Sequence, residues 1–290
     1  MFHGKRMKAS VRKVVFIACL VGVLTTALAQ FRGRRRSNYA AGPVDRGNVP
    51  LWPIDQEFAG EAFTFARLKY ISSGWERSSY AWWTDYPDAD LNLSYRLQQL
   101  TALKVNPEPK VLEITDPELF HCPWVFMSGA GNIILNDDEA QILRRYLRSG
   151  GFLMVDDFWG QAEWNGVYRA MKEVLPDREP VDLPRSHPIF HCVFDLPDDL
   201  SLQTPNMPFA TRNRTSGITW EDNHEGGNTR DVHFRGIFDD KGRMMVMFCH
   251  NTDNGDGWEE ESSDPWFFRE FSEKKNYPLG FNILFYAMTH

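Results

Sequence analysis

Three parts of the sequence carry residue types that could do chemistry. The first is "GGFLMVDDFWG", residues 150–160, in which Asp156 and Asp157 stand side by side where an apolar run stops at Val155. Such carboxylates can ligate a hard cation, or act as acid and base once burial has raised a pKa. A plainer use stays open: one of them caps the following helix or accepts loop amides.

The second part is "NTDNGDGWEEE", residues 251–261, with Asn251, Asp253, Asp256, Trp258 and Glu259 as candidate ligand-binding residues. It is not an EF-hand. With Gly257 as the fixed glycine, Thr252 falls at the first ligand position and Ser263 at the last, where a carboxylate and a Glu belong. An irregular cation loop from Asp253, Asp256 and Glu259 stands beside the alternative of a Gly-Asp-Asn turn with a solvated acidic flank. No cofactor is predicted, and a divalent cation is the one group that these donors would suit.

The third part is the histidines, cysteines and aromatics. His121-Cys122, His191-Cys192 and Cys249-His250 adjoin. Zinc ligands come in pairs two to four residues apart, and adjacent strand residues point oppositely, so these read as inert thiols. His187 in "RSHPIF" precedes a proline, which keeps the chain extended and lets the ring reach a cleft. It joins Asp156 and Asp157 as a catalytic candidate for a metal- or carboxylate-dependent hydrolase. Trp75, Tyr80, Trp82, Trp83 and Tyr86 show neither helical nor strand period. Their faces could stack on sugar, which makes Trp82 and Trp83 glycan-binding candidates, or could cover the core edge under a loop.

These residues need a frame. Phe63, Phe65, Leu68 and Tyr70 alternate as a strand, and "KVLEI", "PWVFMSG" and "GFLMV" are further apolar strands. Between them, Leu93, Leu97 and Leu100 predict a helix over 89–103. Asp116-Pro117 marks a helix start, and a helix capped by Asn136 with Glu139 ends at Gly150. Trp164, Val167, Tyr168, Met171, Val174 and Leu175 form one more helical stripe. Strands of this kind joined by helices imply a mostly parallel sheet covered on both faces. Its ligands sit outside the carboxyl ends of the strands, where Asp156 and Asp157 fall. "HFRGIFDDKGRMMVMFCH" predicts a hairpin turned at "DDKG". Asp264 caps a short helix, and "PLGFNILFYAMTH" predicts a buried final helix.

The first 29 residues read as a signal peptide: a basic start, the apolar "VVFIACLVGVLTTALA", and cleavage near Ala29. A retained anchor is the alternative, although the apolar run is short of a membrane span. Export to the periplasm or outside follows. Removing five basic residues leaves 27 Lys and Arg against 39 Asp and Glu, a net charge of −12. That excludes nucleic acid and anionic membrane as partners on electrostatic grounds. Three cysteines remain, so a disulfide framework is excluded. Residues 30–60 read as a flexible leader or arm, and 61–290 as a single domain.

The segments "FTFARLKY", "DPELFHCPWVFMSG", "LNDDEAQILRRYLRSGGFLMVDDF", "LPRSHPIF", "RGIFDDKGRMMVMFCHNTDNGDGWE" and "LGFNILFYAMTH" occur in this order. Together they resemble the bacterial domain-of-unknown-function 4159 family over roughly residues 61–290. The resemblance implies a three-layer, flavodoxin-like α/β sandwich akin to class I glutamine amidotransferases. Those enzymes hold a nucleophilic Cys on the turn after a buried strand. Here that turn offers Asp156, Asp157 and Phe158, and no Cys or Ser follows until Ser186. The leading expectation is a non-catalytic module that binds an unidentified protein or small ligand in the cell envelope. The hydrolase and the glycan binder are its alternatives.

Overall fold

The computed structural model describes residues 44–54, 57, 60–73 and 78–290. The expected leader over residues 1–29, Trp75 and the Tyr80 side chain lie outside what is described. The chain runs β1 (Ala66–Lys69), β2 (Ile71–Ser72), α1 (Asp88–Leu100), β3 (Lys110–Glu113), β4 (Trp124–Ser128), β5 (Ile133–Ile134), α2 (Asp137–Arg148) and β6 (Phe152–Phe158). It continues through α3 (Gly160–Val174), β7 (Val181–Asp182), α4 (Met207–Arg212), β8 (His233–Phe238), β9 (Met244–His250), α5 (Asn254–Glu259) and α6 (Tyr277–Thr289).

Period-two patterning decides the architecture. Val125, Met127, Leu153, Val155, Val246 and Phe248 face one side of the sheet, against Leu143 and Leu147 of α2 and Val167 and Met171 of α3. Their neighbours Trp124, Phe126, Phe152, Met154, Met247 and Cys249 face the other side, against α1 and α6. Both faces are covered, so these strands read as unbroken apolar runs. The result is a three-layer α/β sandwich. The seven strands lie in the order β3-β1-β4-β6-β9-β8-β7. Pairing is parallel from β3 to β9, and β8 and β7 add antiparallel strands. Counted in chain order, the five parallel strands read 2-1-3-4-5, with the order reversing between β1 and β4.

Local signals set the ends of the elements. Asn136 and Glu139 form the expected capping box of α2, and Gly150 after it takes φ +113°. α1 stops at Leu100, earlier than its leucine spacing suggests, because Thr101 turns extended and both its amide and its hydroxyl bond to Leu97 O. The Asp264-capped turn at Pro265–Phe267 runs into a π-helix, Phe268–Asn276, before α6. Contacts group Arg46–His290 into one unit. Within it the end of the arm is tied down: Trp52 Nε1 donates to Val105 O at 2.7 Å, and its ring stacks on Tyr95.

Candidate functional site

β6 does not run straight through its acidic end. Val155 lies opposite Phe248 and Phe158 opposite His250, so three steps on β6 match two on β9. The extra residue is a bulge, and a bulge re-aims side chains. Asp157 takes φ 53°, a left-handed conformation that Asp tolerates better than most residues. The two carboxylates are thereby sent to different tasks.

Asp156 is fully buried. Its Oδ2 accepts from Asn254 N at 2.8 Å and Gly255 N at 2.9 Å, and its Oδ1 from Asn254 Nδ2 at 2.7 Å. It therefore closes the start of α5, across the strand gap. Burial pushes its carboxyl up to about 7, against the pull of those three donors. The helix that follows β6, α3, is served by others: Glu163 accepts from Trp159 N, and Asn251 Oδ1 from Gly160 N.

Asp157 accepts from Trp159 Nε1 at 3.2 Å. One ligand oxygen each from Asp157, Asp85 and Asp253 lie within 4.8 Å of one another. Asp85, Asp256 and Glu259 form a second such group that shares Asp85. Asp85 has φ 65° and is held in place through the backbone before it. Arg67 of β1, fully buried, bonds both oxygens of Asp90 in α1 and donates to Trp82 O at 3.1 Å and Thr84 O at 2.7 Å. Gly255 leaves the room: a Cβ there would sit 2.1 Å from Asp85 Oδ2. Asp253 caps α5 through Asp256 N at 2.8 Å, and Asp256 accepts from Met207 N.

The electrostatics are those of crowded acids, with Asp85, Asp253 and Asp256 buried and Asp157 and Glu259 half-buried. Burial, then Glu221, Asp156 and Glu163, push Asp157 up to about 8. Burial and then Asp157 hold Asp85 and Asp253 well above the usual carboxylate range. Burial, with Glu260 and Asp88, takes Glu259 up to about 7. The cation that acts on Asp85 is Arg67, already paired with Asp90. A group of this kind holds protons or a metal ion, because isolated buried charge is costly.

Beside Asp157 stands a His between two acids. His224 Nδ1 lies 3.0 Å from Glu163 Oε1, and its Nε2 lies 3.2 Å from Glu221 Oε2. Its ring stacks on Trp159 at 5.7 Å. Burial opposes its protonation, but the bonds to Glu163 and Glu221 outweigh it and raise the ring to about 9.

The other expected site residues divide. Asn251 is spent on structure: φ 61°, with Nδ2 donating to Asn228 O and Asp231 O. Trp258 is fully buried and donates to Asn276 O. His187 lies apart from these groups. It accepts from Ile189 N and packs against Phe238 and Tyr286. Phe238 pairs with Met244, at the end of β9 opposite His250. Six residues of strand, about 20 Å, separate that end from the carboxylates, so His187 shares no cleft with Asp156 or Asp157. Trp82 lies in the core and Trp83 at its edge. Trp82 is 2% exposed within the core, Trp83 packs against that core, and the two rings meet edge to face.

Asp85, Arg67, Glu163, Glu221 and His224 escape sequence reasoning. Asp85 hides in an aromatic loop, and His224 in "EDNHEGG", which reads as a turn-rich surface stretch. Three open clefts lie elsewhere, one of them 630 Å³ and lined by Arg144, Arg145 and Arg148, and none includes a member of either carboxylate group. The curated proteins offer no match to this chain. Residues 64–288, well over half of the sequence, match the family described as domain of unknown function (DUF4159), and the chain belongs to that family.

Proposed function

We propose that this chain is a divalent-cation-binding module in which Asp85, Asp157 and Asp253 supply the cation's carboxylate ligands. The observation that carries the reading is the convergence of these three groups, from three separate segments, to within 4.8 Å. An all-oxygen donor set suits Mg²⁺, Mn²⁺ or Ca²⁺ and not zinc. A cation would also offset the cost of crowding buried carboxylates, which otherwise must hold protons. The 2-1-3-4-5 strand order supports a flavodoxin-like sheet, whose ligands bind outside the carboxyl ends of the strands, where Asp157 lies. The basic and apolar leader supports export, and so a role in the cell envelope. A binding role is favoured by the end of β6, where Asp157, Phe158 and then Trp159 stand at the place in which an amidotransferase would hold its cysteine.

A second reading, metal-assisted hydrolysis, draws on the other carboxylate group. Asp85 shared between two groups is the arrangement that two neighbouring cations use. Calorimetric titration of chelator-treated protein with Mg²⁺, Mn²⁺ and Ca²⁺ tests both. Binding should release protons, seen as a heat that changes with buffer, because the acids hold protons before the cation arrives. Asp157→Asn and Asp85→Asn should each abolish it. One ion per chain supports the binding module, and two favour the hydrolase. Silence with all three cations overturns both and leaves a proton-sharing carboxylate group.

A further inference from the structure

A loop, Gly217–Asp231, reaches the carboxylate group through Trp159, which donates to Asp157 and stacks on His224, and that loop has two differently attached halves. Its far half, Gly227–Asp231, is bonded to the frame through its backbone. Gln161 N donates to Gly227 O at 3.1 Å, Asn251 Nδ2 to Asn228 O and Asp231 O, and Gln203 Nε2 to Thr229 O and Arg230 O. Its near half, Gly217–Gly226, is held by side chains: Thr219 Oγ1 donates to Gln203 Oε1, Glu221 accepts from Asn206 N, and His224 reaches Glu163. Left-handed residues bracket that near half. Gly217 has φ +67°, and Gly226, Gly227 and Asn228 follow one another at +83°, +60° and +62°. Runs of this kind absorb large backbone changes at low cost.

We propose that Gly217–Gly226 is a strap over the carboxylate site, latched shut by His224 between Glu163 and Glu221. This rests on the cation reading for its purpose but not for its geometry. His224 is the one side chain of the near half that bonds to α3, and its ring stacks on Trp159, the residue that also donates to Asp157. The groups facing the imidazole are Glu163 from α3, Glu221 from the strap and the Trp159 ring. Both ring nitrogens point at carboxylate oxygens, so the latch is an imidazolium donating twice. Glu221 sits in the strap and adds negative charge toward Asp157. Closing the strap therefore completes the field that a bound cation would neutralise, and opening it widens the access to solvent that half-buried Asp157 already has.

Hydrogen–deuterium exchange on the full chain tests the latch without any cation. His224→Ala should raise exchange across 217–226 by about tenfold, the size set by the one charge-assisted bond, His224 to Glu163, that crosses from the strap to α3, with 227–231, β6 and β9 unchanged. Glu163→Gln, which keeps the bulk and an oxygen, should give a smaller rise in the same peptides. Unchanged exchange at 217–226 in both variants overturns the proposal. A rise spread through β6 and β9 in both variants also overturns it, since the pair would then hold the core and not a strap. The cation reading fails separately, by calorimetric silence, and leaves these outcomes untouched.

Discussion

Replacing Asp157 by Asn should make the cation-free protein more stable at neutral pH. In an unfolded chain this carboxyl titrates near its ordinary value of 3.8, and in the folded protein near 8. Between those values the folded state binds more protons than the unfolded state, so stability falls as pH rises from about 4 toward about 8. The slope is at most one proton, about 1.4 kcal/mol per pH unit, which sums to the order of 4 kcal/mol by pH 7. Sharing of protons among Asp85, Asp157 and Asp253 and local relaxation should leave about half of that, roughly 2 kcal/mol or about 4–8 °C in Tm. Asn keeps an oxygen for Trp159 Nε1 and accepts φ 53° as readily as Asp does. Urea denaturation in chelator at pH 4.5, 6 and 7.5 is the assay. The wild-type and D157N stabilities should converge at the acid end and separate toward pH 7.5. Cation at a hundred times its Kd should invert the order, adding about 2.7 kcal/mol to wild type alone. The reasoning is refuted if D157N is the less stable protein at pH 7.5 without cation and its pH slope is unchanged. Asp157 would then be an ordinary, satisfied acceptor.

Asp156→Asn should do the opposite and destabilise in urea at pH 7.5: an amide cannot accept from all three donors that converge there, and that loss, about 2–4 kcal/mol, exceeds what remains of the gain from neutralising a carboxyl raised to about 7. Gly255→Ala places a methyl 2.1 Å from Asp85 Oδ2, and calorimetry should show cation affinity reduced at least about tenfold even where the fold survives. Arg67→Lys loses the fork that joins Asp90 to the carbonyls of Trp82 and Thr84, at about 3–5 kcal/mol in chemical denaturation. A loss under about 1 kcal/mol would remove Arg67 as the anchor of the Asp85 turn.

The sandwich is legible in the sequence because its strands and helices announce themselves by period. The capping box at Asn136 and the unbroken apolar run up to Val155 are local facts, and local facts survive folding. The carboxylate site is legible only in part. Asp157 and Asp253 stand at strand ends and can be picked out. Asp85 comes from an aromatic loop with no period, and a buried arginine in β1 shapes the turn before it. Nothing local marks that pairing. His187 stands apart for the converse reason: its loop chemistry is local, but the sheet puts that loop at its other end. The π-helix likewise has no local signature. It swings Lys275 and Asn276 inward, so that Asn276 bonds Thr204 and Asn254 behind the site.

The bulge in β6 bears on how mutations at this site should be interpreted. Asp156 makes no approach to Asp85 in either carboxylate group, yet it fixes Asn254 and Gly255. Those two residues set where Asp253 caps α5 and how near Asp85 can come. Removing the Asp156 carboxylate should therefore weaken cation binding without removing a ligand. Lost affinity alone cannot assign ligation among these acids. The sign of the stability change can: a ligand acid, crowded and unneutralised, should stabilise the empty protein when it is made neutral, whereas an acid that serves amides should destabilise it. Asp157 and Asp156, adjacent in sequence and turned apart by one extra residue, should fall on opposite sides of that line.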